Sequence, residues 1–283
     1  IGAMRQFEIS HPRAVAPFGK SNNPPRSIGQ RVGADPKRAI LEKSGGQANQ
    51  QLLGEFALDI LNGDSDVAVV VGSEAISTTL SLVKQGQSPD WSEEIEGSLE
   101  DRGYGVEGMF DMELVIHGAN NAIPLYAMFD QVRRHNLGLS AQQYRLNIGE
   151  LFEPFTKVAA ANPHSAAPTH RTAEELATVT ERNRIVAEPY TRMTVARDQV
   201  NQAGAIIIAS AAKARELGIP EEKWVHLHAQ TTKYELPIMA RPDLANSPAS
   251  IDSIEEAFAI AGVGMETMKH IDLYSCCAIP VFN

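Results

Sequence analysis

The stretch Asp66-Val67-Ala68-Val69-Val70-Val71-Gly72-Ser73-Glu74-Ala75 decides the fold. From Val67 to Val71 no polar residue interrupts the run, so both faces of the segment must be buried, which marks a central strand of an α/β sheet. Upstream, Leu52, Leu53, Phe56, Ile60 and Leu61 recur at helical spacing over residues 50–62, and Asn62-Gly63 closes the helix. Ahead of it stands Lys43-Ser44-Gly45-Gly46-Gln47-Ala48-Asn49-Gln50, a glycine-rich turn feeding the helix. A helix N-terminus aimed at an active centre is a natural place for a nucleophile, and no cysteine occupies this one.

The same logic extends along the chain. Residues 26–32 predict a short helix stopped near Gly33, and Ile40-Leu41 a brief apolar segment after the Asp35-Pro36 turn. Residues 86–108 are acidic, glycine-dotted and aperiodic, and belong at the surface or over a site rather than in the core. Leu125, Met128, Phe129 and Val132 predict an amphipathic helix over 123–137; a second follows from Ser140, and 148–161 continues the helical signal through Pro154. Thr172-Ala173-Glu174-Glu175 has capping chemistry, and 184–191 leads back to the scaffold. Residues 200–210 predict a second buried strand sharing one mixed sheet with 67–71, followed by a helix over 211–217 stopped by Gly218. Further strands are expected at 224–229 and 271–276, and a helix at 251–261.

With 283 residues, 43% hydrophobic and 21% charged, the chain has material for a sizeable core in one or two domains. Acidic residues outnumber basic ones by 35 to 25, for a net charge of −10, and no Lys/Arg block appears, which argues against a nucleic-acid partner. The apolar runs are far shorter than the roughly 20 residues of a membrane helix. The only cysteines, Cys276 and Cys277, are adjacent and poorly placed for a staple, so a reducing compartment, the cytoplasm, is expected. Opening on Ile1-Gly2-Ala3 and stopping at Pro280-Val281-Phe282-Asn283, the sequence reads as incomplete at both ends.

Candidate chemistry is sparse. The glycine spacing of a dinucleotide loop and the lysine-hydroxyl ending of a triphosphate loop are both missing. Gly45 and Gly46 either shape a tight turn at a pocket mouth or link strand to helix. Ser44 is a turn or cap residue unless a base activates it. His117, beside Gly118, contacts a ligand or satisfies local backbone, and His226 and His228 alternate as structural residues do. No metal set is legible, and Asp111, Glu113, Asp198 and Glu235 form no readable acid pair.

These residues resemble the thiolase superfamily, most closely its bacterial acetyl-CoA acetyltransferases and thiolase-like proteins. The likeness is carried by 63–75, similar to the strand after the nucleophile helix. It is also carried by His117-Gly118 through Pro124-Leu125-Tyr126, similar to the loop that holds pantetheine, and by 162–163, 183–190 and 200–210. It implies a layered αβαβα fold with a helical loop domain over about 110–190. Residues 1–214 would form the N-terminal half, without the family's first strand and helix, and 215–283 would begin the C-terminal half. It implies a homo-oligomer, no permanently bound cofactor, and coenzyme A or acyl-CoA as the small-molecule ligand, its arm passing His117 and Tyr126 toward Gly45 and Gly46.

On this register Gly46 stands where condensing members carry the acyl-accepting cysteine. Leu273-Tyr274-Ser275-Cys276-Cys277 stands where the family places Asn-Glu-Ala-Phe or His-Asp-Cys-Phe. Tyr274 then replaces the water-orienting Asn or His and Ser275 the acid; with Cys276 they form the candidate catalytic set, although both cysteines also read as small core residues. The resemblance therefore implies an acyltransferase of the acetyl-CoA acetyltransferase type. The alternatives are a catalytically altered acyl-CoA or lipid-binding protein and a non-catalytic partner subunit.

Overall fold

The computed structural model describes residues 1–5, 16–105 and 111–282. The end of the surface segment expected over 86–108 lies outside the described residues. In chain order the strands are β1 (Gly2–Ala3), β2 (Ile40–Leu41), β3 (Val67–Ala75), β4 (Glu100–Asp101), β5 (Ile185–Ala187), β6 (Tyr190–Thr191) and β7 (Asn201–Ala209). The helices are α1 (Pro24–Arg31), α2 (Ala48–Asn62), α3 (Ile76–Lys84), α4 (Met112–Ile116), α5 (Ala122–Asn136), α6 (Ala141–Ala161), α7 (Ala173–Ala177), α8 (Ala211–Glu216), α9 (Pro248–Ala261) and α10 (Ile279–Phe282). They fall into two units, one of Ile1–Glu107, Gln199–Thr232 and Glu256–Val263, the other of Gly108–Asp198, Lys233–Glu255 and Gly264–Asn283.

The first unit is built on a five-stranded sheet of order β4-β2-β1-β3-β7, in which β1 is parallel to β2 and β3, β2 is parallel to β4, and β7 runs antiparallel to β3. Residues 67–71 and 204–208 thus share one mixed sheet, as the sequence predicts. Successive β3 side chains face opposite ways, so both faces need cover. On one face Leu52 and Phe56 of α2 pack against Ile40, Ala68 and Val70; on the other, Ala3, Leu41 and Val71 pack with Ile28 of α1. Gly63 ends α2 in the left-handed conformation, φ 81°, while the Asp64 amide donates to the Asp59 carbonyl at 2.8 Å, a Schellman closure.

At the far edge, Arg38 and Arg102 gather Glu42, Glu55, Asp59 and Glu100, linking α2 to both β2 and β4. Strands β1 and β4 carry no signal in the sequence: each is two residues long, too short to show periodicity.

The second unit is mainly helical through its first part. Asn121 caps α5, and reciprocal capping boxes open α6 (Ser140 with Gln143) and α7 (Thr172 with Glu175). The signals from Ser140 and over 148–161 belong to one 21-residue helix that carries Pro154 inside it. Gly149 lets α6 approach α7: a Cβ there would lie 2.3 Å from the Ala173 carbonyl oxygen. Residues 185–191 form the hairpin β5–β6, and Tyr144, Ile148, Tyr190, Cys277 and Ala278 form the buried core.

Three strand expectations need correction. The predicted strand over 200–210 exists as β7, yet it is an edge strand and most of it is exposed, with Ile207 at 72%. Its apolar composition suits a covered strand, but among the described residues only β3 pairs with it. Residues 224–229 and 271–276 are irregular rather than extended ladders, for among the described residues neither alternating run has a neighbouring strand; Val225 is 96% exposed.

Candidate functional site

In the first unit, α2 begins beside the glycine pair. Gly45 has φ +142°, a backbone conformation that residues with a Cβ rarely adopt, so this turn favours glycine. Gly46 is exposed and lies two residues before the first helical residue. The N-cap is Gln47, and no side chain caps the helix. Within the first turn the Gln50 amide donates to Asn49 Oδ1 at 3.0 Å, and the Ala48 amide to the Gly45 carbonyl at 3.2 Å. Ser44 Oγ donates to the Tyr104 carbonyl at 2.5 Å, and its amide to the same oxygen at 3.3 Å. That hydroxyl is engaged in holding a loop.

Beside this helix end lies a cleft of about 780 Å³, with Arg5, Asn49, Gly72, Glu74 and Gln202 among its walls. It runs along the second half of β3 and the first part of β7, with Met4 and Arg5, just past β1, at its side.

The other sequence-predicted residues belong to the second unit. His117 is the exposed C-cap of α4, its backbone amide donating to the Glu113 carbonyl at 3.3 Å. Tyr126, Tyr274 and Cys276 come together: the Tyr274 hydroxyl lies 2.8 Å from Cys276 Sγ, and Tyr126 packs against the same buried cluster as Cys276. Burial lifts both phenols above the ordinary tyrosine value, assisted at Tyr274 by its bond to Cys276. Both phenols therefore remain protonated at neutral pH and act as uncharged hydrogen-bond donors. Ser275 instead donates to the Cys277 carbonyl at 3.0 Å and braces its own loop.

Behind this cluster is a group of residues that sequence patterning does not reveal. Asp130 is fully buried on α5, accepting a hydrogen bond from the Tyr144 hydroxyl at 2.5 Å on Oδ1 and another from the Tyr190 hydroxyl on Oδ2. Burial raises its carboxyl pKa, while the two phenols, Arg133 and the Ile279 amide oppose that shift. Cys277 is completely buried beside Tyr190, and burial pushes its thiol up to about 12. The one signal along the chain is an acid inside the apolar stripe of α5, four residues after Tyr126.

Comparison with known proteins gives the family. No protein-family model matches the chain, and no curated protein does. Among solved structures, a monomeric SCP2-thiolase-like protein type 1 from Mycobacterium smegmatis matches with a TM-score of 0.77 and 39% identity over 94% of this chain. This chain spans 53% of that structure's chain, about half its length. An Ltp2-ChsH2(DUF35) aldolase matches with a TM-score of 0.61 over 93% of this chain and 63% of that one; at 16% identity it shows a shared fold. With its helix-flanked mixed sheet and this degree of identity to an SCP2-thiolase-like protein, the chain belongs to the thiolase superfamily.

Proposed function

We propose that this protein binds acyl-CoA thioesters as a catalytically altered member of the superfamily, without the covalent acyl-cysteine route. The observation that carries the reading is the entrance to α2, where the glycine pair brings neither sulfur nor hydroxyl and Ser44 is committed to Tyr104. Tyr126, Tyr274 and Cys276 are the residues we assign to the acyl carbonyl, with the two phenols as neutral donors to its oxygen. His117 is assigned to the coenzyme, and Gly45 and Gly46, separately, to the turn that opens α2. The division into an N-terminal half over 1–214 and the start of a C-terminal half over 215–283 belongs to the same proposal, as do the cytoplasmic location and the homo-oligomer. The Mycobacterium smegmatis relative is described as monomeric, and sedimentation of this protein decides its assembly.

Calorimetry with acetyl-CoA, followed by peptide mapping after a short pulse of labelled acetyl-CoA, tests the reading. Saturable binding without an adduct on residues 43–50 supports it. An acyl adduct on Ser44 restores a covalent mechanism at α2, and an adduct on Cys276 moves the acyl acceptor to the second motif. Absence of any acetyl-CoA affinity at low salt rejects the binding function and the transferase together, and favours the non-catalytic partner subunit.

A further inference from the structure

We propose that Asp130 is a positioning residue, holding α5 and residues 276–279 in the register that brings Tyr126, Tyr274 and Cys276 together. This rests on the acyl-thioester reading above for its functional consequence, while its structural part stands alone. Asp130 follows Tyr126 by four residues on α5, so the two side chains leave the same helix face one turn apart. Tyr126 packs against the same buried cluster as Cys276, and Asp130 lies close enough to the Ile279 amide, just past Cys277, for that dipole to act on its carboxylate. One helix face thus holds both ends of the segment that carries the cysteines.

The other contacts close the arrangement. Tyr144 from α6 and Tyr190 from β6 each give a hydroxyl to a separate oxygen of Asp130. Tyr190 also packs with Cys277 in one buried cluster, and the guanidinium of Arg133, one turn from Asp130, lies 4.4 Å from the Phe282 ring centroid. Four elements therefore converge on one carboxylate.

A buried carboxyl costs desolvation that an apolar side chain of similar size avoids, so bulk stability is a poor account of it. What directional bonds supply is orientation. If Asp130 loses its acceptor geometry, the Tyr144 and Tyr190 hydroxyls lose their common partner. The loop of the two cysteines is then free to shift relative to Tyr126.

The test uses Asp130→Asn, Tyr190→Phe and a control, Ile148→Val, which trims the same core without touching the carboxylate. Each variant is measured for melting temperature, acetyl-CoA affinity, and alkylation of Cys276 and Cys277 by iodoacetamide resolved by peptide mapping. Asp130→Asn is expected to speed Cys277 alkylation at least tenfold and to weaken acetyl-CoA binding by a similar factor. Tyr190→Phe should move both in the same direction by less, and the control should leave both within twofold. The proposal is overturned if Asp130→Asn stays within twofold of the unmodified protein, or if Ile148→Val produces the same changes for a similar drop in melting temperature. Should Asp130→Asn fail to fold, Tyr190→Phe measured against the control decides between the same two outcomes. If the unmodified protein binds no acetyl-CoA, the functional reading fails, and the alkylation pattern still decides the positioning role.

Discussion

Arg102 grips Glu55 with both ends of its guanidinium, Nη1 to Oε2 and Nη2 to Oε1, each at 2.8 Å. The pair fastens the end of β4 to the middle of α2, and Arg102 simultaneously covers the almost fully buried Glu42 at 2.5 Å. Bidentate arginine–carboxylate bonds are among the stronger polar contacts, and removing one partner leaves the other's charge uncompensated.

Arg102→Ala should therefore destabilise the protein by about 2 kcal/mol, less than for a fully buried pair because Arg102 and Glu55 retain some solvent. Urea unfolding measures it. A loss below about 0.5 kcal/mol would place this pair among ordinary surface ion pairs.

The same contact sets a pH dependence. Arg102 above all, with help from Arg38, holds the Glu55 carboxyl below the usual carboxylate range despite some burial. An acid whose folded pKa is depressed contributes stability that is present above its unfolded pKa and lost as pH falls through the folded value. The stability difference between the unmodified protein and Glu55→Gln should thus be largest near neutrality and shrink as pH falls from about 5 to 3. A difference independent of pH over that span would contradict it.

Gly149 is the point of closest approach between α6 and α7, and the obstacle to a Cβ is backbone, the Ala173 carbonyl, which cannot rotate away. Gly149→Ala should cost about 1–3 kcal/mol despite alanine's better helix propensity. Thermal unfolding would show it, and a raised melting temperature would mean that the two helices separate easily.

The two neighbouring cysteines should behave differently. Cys276 is partly exposed, whereas Cys277 is buried with its thiol pushed up to about 12. At pH 8 iodoacetamide should modify Cys276 in the folded protein and reach Cys277 only on unfolding. Equal rates for both would show that the segment opens readily.

Much of the scaffold follows from local sequence. The Val67–Val71 run, the Leu52/Phe56 spacing with its Gly63 stop, and the caps at Ser140 and Thr172 each specify an element through contacts within a few residues. The family is legible for the same reason, since its resemblance is carried by these continuous segments. The candidate glycines and Tyr274 could likewise be named from their place in that pattern.

Tertiary structure alone decided how those elements are used. The apolar composition of β7 is the same in a central or an edge strand, and only pairing partners determine its exposure. Residues 224–229 and 271–276 alternate as strands do but join no ladder among the described residues. Asp130 reads as one more helical acid until Tyr144, Tyr190 and the Ile279 amide converge on it from 14, 60 and 149 positions away. Hydrogen bonds between such distant residues leave no periodicity along the chain, because their geometry is set by packing and not by neighbours in sequence.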